Sequence, residues 1–204
     1  MPRPRSLTDA DLAAAALAVI DRDGLSALTM RAVAEELGMA TMALYRYVPD
    51  RAALESLVVD TVFEVVDTAT PADLPWVRRL TVLAERVCEA VAAHPQTVPL
   101  LLAHRQSARN GLRWMEATLA VLTEAGFDGA DRVIAQRALV AYLFGYLQNA
   151  HYAALAGHGT AVLAALPEDE FPHLAATART ARTVSAEDEF SGGLEIVLRG
   201  LRPS

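Results

Sequence analysis

The 204-residue chain is long enough for one large or two small domains with a real core. Its 53% hydrophobic and 6% aromatic composition, rich in alanine and leucine with few β-branched runs, favours helix throughout. A formal charge of −7 excludes a uniformly basic nucleic-acid coat, and a single cysteine, Cys88, excludes an internal disulfide. No charge-free apolar run reaches ~18 residues and no apolar stretch follows the basic N-terminus, so neither a membrane span nor a secretory signal is expected, and the expected location is cytoplasmic.

Residues 1–6 read as an arm in which Arg3 and Arg5 are placed to meet phosphates or a minor groove. The first helix starts at Thr8-Asp9-Ala10-Asp11, a capping box, and runs through Leu12, Ala16, Val19 and Ile20 to Gly24. Thr29 is an N-cap for a second helix with Ala32, Val33 and Leu37 on one face, stopped at Gly38 by a left-handed turn that glycine takes without strain. A third helix follows from about Ala40, with Leu44 and Val48 inward and Thr41, Met42, Tyr45, Arg46 and Tyr47 projecting. A short helix, a glycine turn and a second exposed helix make a helix-turn-helix, whose second helix enters the DNA major groove. The charge balance of residues 1–68, six Arg against eleven Asp and Glu, opposes DNA binding only mildly. Arg31, Arg46 and Arg51 lie where the motif meets phosphates, and fields decay over ~8 Å.

Asp50 reads as the N-cap of a fourth helix carrying Leu54, Leu57, Val58, Val62, Phe63 and Val66. Pro71 and Pro75 mark a linker, so domains are expected at 1–67 and 68–204. Beyond it the pattern predicts helices over about 74–93, 97–104, 109–125 and 129–157, a loop bounded by Gly157, Gly159 and Pro167, and helices over 171–180 and 186–201. The long helix is expected to turn Val133, Leu139, Leu143, Phe144 and Leu147 inward.

The stretch from Thr8 to about Val66 resembles the DNA-binding domain of the tetracycline-repressor (TetR) family. The resemblance rests on Ile20, Gly24, Leu28-Thr29-Met30-Arg31, Val33-Ala34, Leu37-Gly38, Leu44-Tyr45, Tyr47-Val48 and Arg51-Ala52-Ala53-Leu54. Phe190–Leu201, Ala125-Gly126-Phe127, Gly145, Trp76 and Arg105 extend it to the C-terminal domain of the tetracycline repressor, after which the family is named. It implies an all-α fold: an N-terminal three-helix DNA-binding domain with its helix-turn-helix, then a larger helical ligand-binding and dimerisation domain. It also implies a homodimeric, ligand-responsive repressor on a palindromic operator of double-stranded DNA.

Carried onto this chain, the DNA-contacting residues are Thr29, Arg31, Thr41, Met42, Tyr45, Arg46, Tyr47 and Arg51. Arg46 suits guanine best, because a guanidinium donates two hydrogen bonds to O6 and N7. The tyrosines, Thr29, Arg31 and Arg51 suit phosphates. Many relatives cap the reading helix with Ser or Thr; here that position is Ala40, which costs about 1 kcal/mol. The resemblance places the effector site at Leu83, Val87, Leu101, Thr118 and Asn149; His104, Gln148 and His151 are further candidate polar anchors, for which a dimer seam or solvent is the competing reading. Leu101 stands where the tetracycline repressor has its metal-binding histidine and Asn149 where it has a glutamate, so a tetracycline–magnesium chelate is not the expected effector. A largely hydrophobic molecule with one or two polar groups is. The dimer is expected to use Ala138, Ala141 and Gly145 of the long helix with Leu194, Val197 and Leu201 of the last; a single-chain core face is the competing explanation, and the two are not exclusive.

No HxxxH or HExxH spacing, nucleophile–base pair, carboxylate dyad or glycine-rich phosphate loop is visible, so no metal, cofactor or catalytic residue is expected. The competing readings are an activator or an effector-independent DNA binder and, from another class, a small-molecule enzyme.

Overall fold

The computed structural model describes residues 7–203, so Arg3 and Arg5 lie outside the described residues. Those residues are helical with turns between: α1 Asp9–Asp23, α2 Met30–Glu36, α3 Thr41–Leu44, α4 Arg51–Glu64, α5 Trp76–Ala92, α6 Val98–His104, α7 Arg109–Glu124, α8 Gly129–Tyr152, α9 His158–Ala164, α10 Pro172–Ala181 and α11 Ala186–Gly200. Single 3-10 turns at Leu25–Ala27 and Pro95–Thr97 precede α2 and α6. The described residues pack into two compact units that divide between Ala120 and Val121.

In the first unit the helix ends follow local chemistry. The Thr8 hydroxyl accepts from the Asp11 N–H at 3.2 Å while the Asp11 carboxylate accepts from the Thr8 N–H at 2.9 Å, a complete capping box on α1. Thr29 caps α2 through the Ala32 N–H and Asp50 caps α4 through the Ala53 N–H. α4 is the central element, lying against α1, α5 and α6. Its Leu54, Val58, Val59, Val62 and Phe63 are buried, and the Phe63 ring lies 6.4 Å from that of Trp114. The Trp114 indole N–H donates to the Leu83 carbonyl at 2.8 Å, which removes the cost of burying it.

In the second unit α8 packs on α11 and α9 on α10. Leu139, Leu143, Phe144 and Leu147 of α8 and Phe190, Leu194 and Leu198 of α11 form its core. The Tyr142 hydroxyl bonds the Phe190 carbonyl at 2.7 Å and the Glu189 carbonyl at 3.1 Å, and the Tyr146 hydroxyl bonds the Ala186 carbonyl at 3.1 Å.

Two details differ from the sequence expectation. The segment after Gly157, read as a loop, contains helix α9, and α8 ends at Tyr152 rather than near Gly157. Packing against α10 holds the short helix despite Gly157 at its N-cap and Gly159 in its first turn, since tertiary contacts override weak propensity. Val133, expected inward, is 56% exposed beside Ile134 at 62%. Helical spacing fixes the side of the helix a residue occupies, not whether a neighbour reaches that far. Leu194, read both for a dimer seam and for a single-chain core face, is buried within its own chain, while Ile196 of the same helix is 74% exposed.

Candidate functional site

The reading head is set by the turn between α2 and α3. Gly38 takes φ +66°. Its N–H bonds the Glu35 carbonyl at 3.0 Å and the Met39 N–H bonds the Ala34 carbonyl at 2.9 Å, the two bonds of a Schellman motif. α3 is a single turn with Ala40 at its N-cap and no side chain satisfying its first N–H groups. Turns through Tyr47 prolong it, with the Val48 N–H on the Leu44 carbonyl at 3.2 Å. Leu44 and Val48 anchor this stretch in the core.

That anchoring leaves the opposite side free. Met42 is 77% exposed, Tyr45, Arg46 and Tyr47 are exposed, and Thr41 is half-buried. Among the described residues Arg46 makes no ion pair, so its guanidinium is uncommitted. Arg31 and Arg51 each bind the carboxylate four residues on, Glu35 at 2.8 Å and Glu55 at 2.6 Å. The hydrogen bond to the Glu35 carboxylate, and its charge, raise the Arg31 pKa above its ordinary value. The Thr29 hydroxyl is occupied by the Ala32 N–H at the start of α2. The face thus offers one free guanidinium, two phenol hydroxyls, a thioether and two paired arginines at helix starts, a set suited to base edges and phosphates.

The residues placed at the effector site fall in two groups. Leu83 and Val87 of α5, Leu101 of α6 and Thr118 of α7 are buried in the first unit, and the Thr118 hydroxyl donates to the Met115 carbonyl at 2.7 Å. Beside them an apolar crevice of about 110 Å³, too narrow for a water molecule, is lined by Val62, Phe63, Val66, Val87, Ala90, Val91 and Leu101. His104 ends α6 and its Nε2 lies 2.9 Å from the Glu55 carboxylate. In the second unit Gln148, Asn149 and His151 share the last turns of α8. The first two are exposed and His151 is half-buried, edge-on to the Tyr152 ring at 4.5 Å.

Sequence reasoning missed a polar ladder between α4 and the α6–α7 corner. Glu55 meets His104, the Ser56 hydroxyl meets that of Ser107 at 3.2 Å, and the Asp60 carboxylate accepts the Asn110 N–H at 2.6 Å. The Asn110 amide returns a bond to the Asp60 carbonyl at 3.1 Å, so Asp60 caps α7 from another helix. These partners stand about fifty residues apart, and no local signal links them. Among the described residues no group of three or more His, Cys, Asp or Glu is placed to hold a metal, and no helix is long and apolar enough to cross a membrane.

Comparison with known proteins completes this picture. Residues 12–55 match the family model described as bacterial regulatory proteins, tetR family, and residues 70–204 match the tetracyclin repressor-like C-terminal domain. The chain is 30% identical over 154 residues to the HTH-type transcriptional repressor DrrR1 of Streptomyces coeruleorubidus. That match takes in 74% of this chain and spans only 56% of the relative's length. A possible TetR family transcriptional regulator from Streptomyces coelicolor A3(2) shares the fold with a TM-score of 0.86 at 28% identity, covering 96% of this chain and 98% of the other. The Streptomyces coelicolor TetR family protein ActR, in complex with actinorhodin, matches with a TM-score of 0.82 at 25% identity over 96% and 95% of the two chains. These relatives are regulators rather than enzymes. With a family model spanning most of its length and a second on its helix-turn-helix, the chain belongs to the TetR family of bacterial regulatory proteins.

Proposed function

We propose that the protein is a cytoplasmic, homodimeric transcriptional repressor that binds a palindromic DNA operator and is released by a small, largely hydrophobic effector. The observation that carries this reading is the exposed α3 face, where the uncommitted Arg46 stands between Tyr45 and Tyr47 on a turn anchored by Leu44 and Val48. Arg46 reads a guanine, Thr41 and Met42 contact neighbouring base edges, and Tyr45, Tyr47, Thr29, Arg31 and Arg51 hold phosphates.

The hydrophobic character of the effector is supported by Leu83, Val87 and Leu101, with Thr118 as the polar exception. Leu101 offers no donor to a hard cation, which argues against a drug–magnesium chelate. That ActR is known with actinorhodin bound supports a small organic effector in this family branch. Exposed Val133 and Ile134 on α8 and Ile196 on α11 support a second copy as partner, since large apolar groups on two adjacent helices are otherwise costly to leave in water. The effector acts by shifting α4, which moves the heads of the dimer off half-site spacing.

Selection from a random duplex pool at near-physiological salt tests the reading. Enrichment of a palindrome whose half-sites lie one helical turn apart, lost on Arg46→Ala, is expected. Enrichment of no sequence overturns it, and a single half-site overturns the dimer. A bound sequence at which no apolar small molecule changes affinity points to the effector-independent reading.

A further inference from the structure

Arg51 and Arg31 invite comparison, because each opens or nearly opens a helix and each pairs with a glutamate four residues on. The Arg31–Glu35 pair is open to solvent, with side chains 81% and 64% exposed, and is an ordinary surface pair. Glu55 is different. Its side chain is only 15% exposed, and its two oxygens serve two residues: Oε1 accepts from Arg51 Nε at 2.6 Å and Oε2 meets His104 Nε2 at 2.9 Å. An ionised carboxylate only accepts, so His104 carries a proton on Nε2 in this arrangement. His104, 19% exposed, is the last residue of α6, one turn beyond the fully buried Leu101. Within the first unit, a continuous line therefore runs from the apolar wall at Leu101 through His104 and Glu55 to the guanidinium that opens α4.

Resting on the DNA-binding reading above, we propose that Glu55 and His104 are positioning residues for the phosphate contact of Arg51. The carboxylate fixes the guanidinium only while His104 fixes the carboxylate. Displacing the last turn of α6 removes His104 from Glu55, frees the carboxylate to rotate, and loosens the grip of Arg51 on the DNA backbone. The Asp60–Asn110 contact lies further along α4 and involves neither Glu55 nor His104.

A double-mutant cycle on affinity for the selected duplex tests the relay through two residues that do not touch. Arg51→Ala and His104→Leu should each weaken binding, by about tenfold and about threefold. The double variant should be no weaker than Arg51→Ala alone, because an arginine already removed has nothing left to position. In a Glu55→Gln background the cost of His104→Leu should fall below twofold. Arg31→Ala combined with His104→Leu should be additive. His104→Gln keeps an N–H donor and should bind like the parent; this guards against reading a folding defect as a lost relay. Additive effects of Arg51→Ala and His104→Leu overturn the proposal, as does full affinity in His104→Leu. Failure of the parent to select any sequence refutes the DNA reading instead, so the two failures are distinguishable.

Discussion

Replacing Gly193 by alanine tests how α8 and α11 are keyed together. A methyl group built there would lie 2.7 Å from Tyr142 Cε2 and 2.8 Å from Cζ, where carbon atoms need about 3.5 Å. The ring cannot simply swing away, because its hydroxyl is held by the carbonyls of Glu189 and Phe190 and its face stacks on Phe190 at 6.2 Å. Overpacking costs about 1–3 kcal/mol and the weakened hydroxyl bonds about 1 more, while the better helix propensity of alanine returns about 0.8–1. Net destabilisation is therefore about 1–3 kcal/mol, or roughly 2–12 °C in Tm for a chain of this size. The neighbouring Gly192 supplies the control, since a methyl group there meets nothing within 4 Å and Gly192→Ala should be neutral or stabilising. Urea and thermal melts followed by circular dichroism, at fixed protomer concentration, give both values. A Gly193→Ala variant as stable as Gly192→Ala would refute the argument. Tyr142→Leu in the Gly193→Ala background should recover part of the loss.

Three further outcomes are expected. Gly38→Ala should cost about 1 kcal/mol through its left-handed φ alone, since no atom crowds the site, and should lower DNA affinity by tilting α3; Gly38→Asn should be milder. Ala40→Ser should stabilise the protein by about 1 kcal/mol in chemical denaturation, because α3 lacks a side-chain cap and Ala40 already has extended backbone angles. Burial, aided by Glu85 and Glu89, pushes the Cys88 thiol from an ordinary 9.0 up to about 12. Reaction with a disulfide reagent at pH 8 should thus be slow until the chain is unfolded. Between pH 9 and 12 the folded state keeps a proton that the unfolded state loses, so this thiol lowers stability as pH rises through that window.

The features legible in the sequence are those whose cause is local. Thr8, Thr29 and Asp50 could be named as caps because an N-cap needs only a short polar side chain and a few following N–H groups. Gly38 stood out because its turn needs a positive φ. The exposed side of α3 followed from Leu44 and Val48 pointing the other way. What stayed hidden has causes distant in the chain. The helix at His158–Ala164 depends on α10, and the burial of Leu194 depends on α8. The contacts of Glu55, Ser56 and Asp60 join residues about fifty positions apart, where a single sequence carries no pattern. For the same reason His104 could be noticed as a polar residue near an apolar wall, but its carboxylate partner could not.

The way α4 is shared bears on how such a protein can be rebuilt. Its Val59, Val62 and Phe63 belong to the same core as Leu83 and Trp114, and the first compact unit runs to Ala120. A graft that exchanges everything before residue 67 between relatives would bring a foreign α4 onto α5, α6 and α7, and would break both the Trp114 packing and the Asp60 cap. A chimera that transplants the stretch from Thr29 to Val48 and keeps its buried Met30, Val33, Ala34, Leu44 and Val48 leaves α4, the Trp114 packing and the Asp60 cap in place. Under the function proposed above, operator preference travels with that stretch, while the packing that ties α4 to α5 and α6 travels only with the whole first unit.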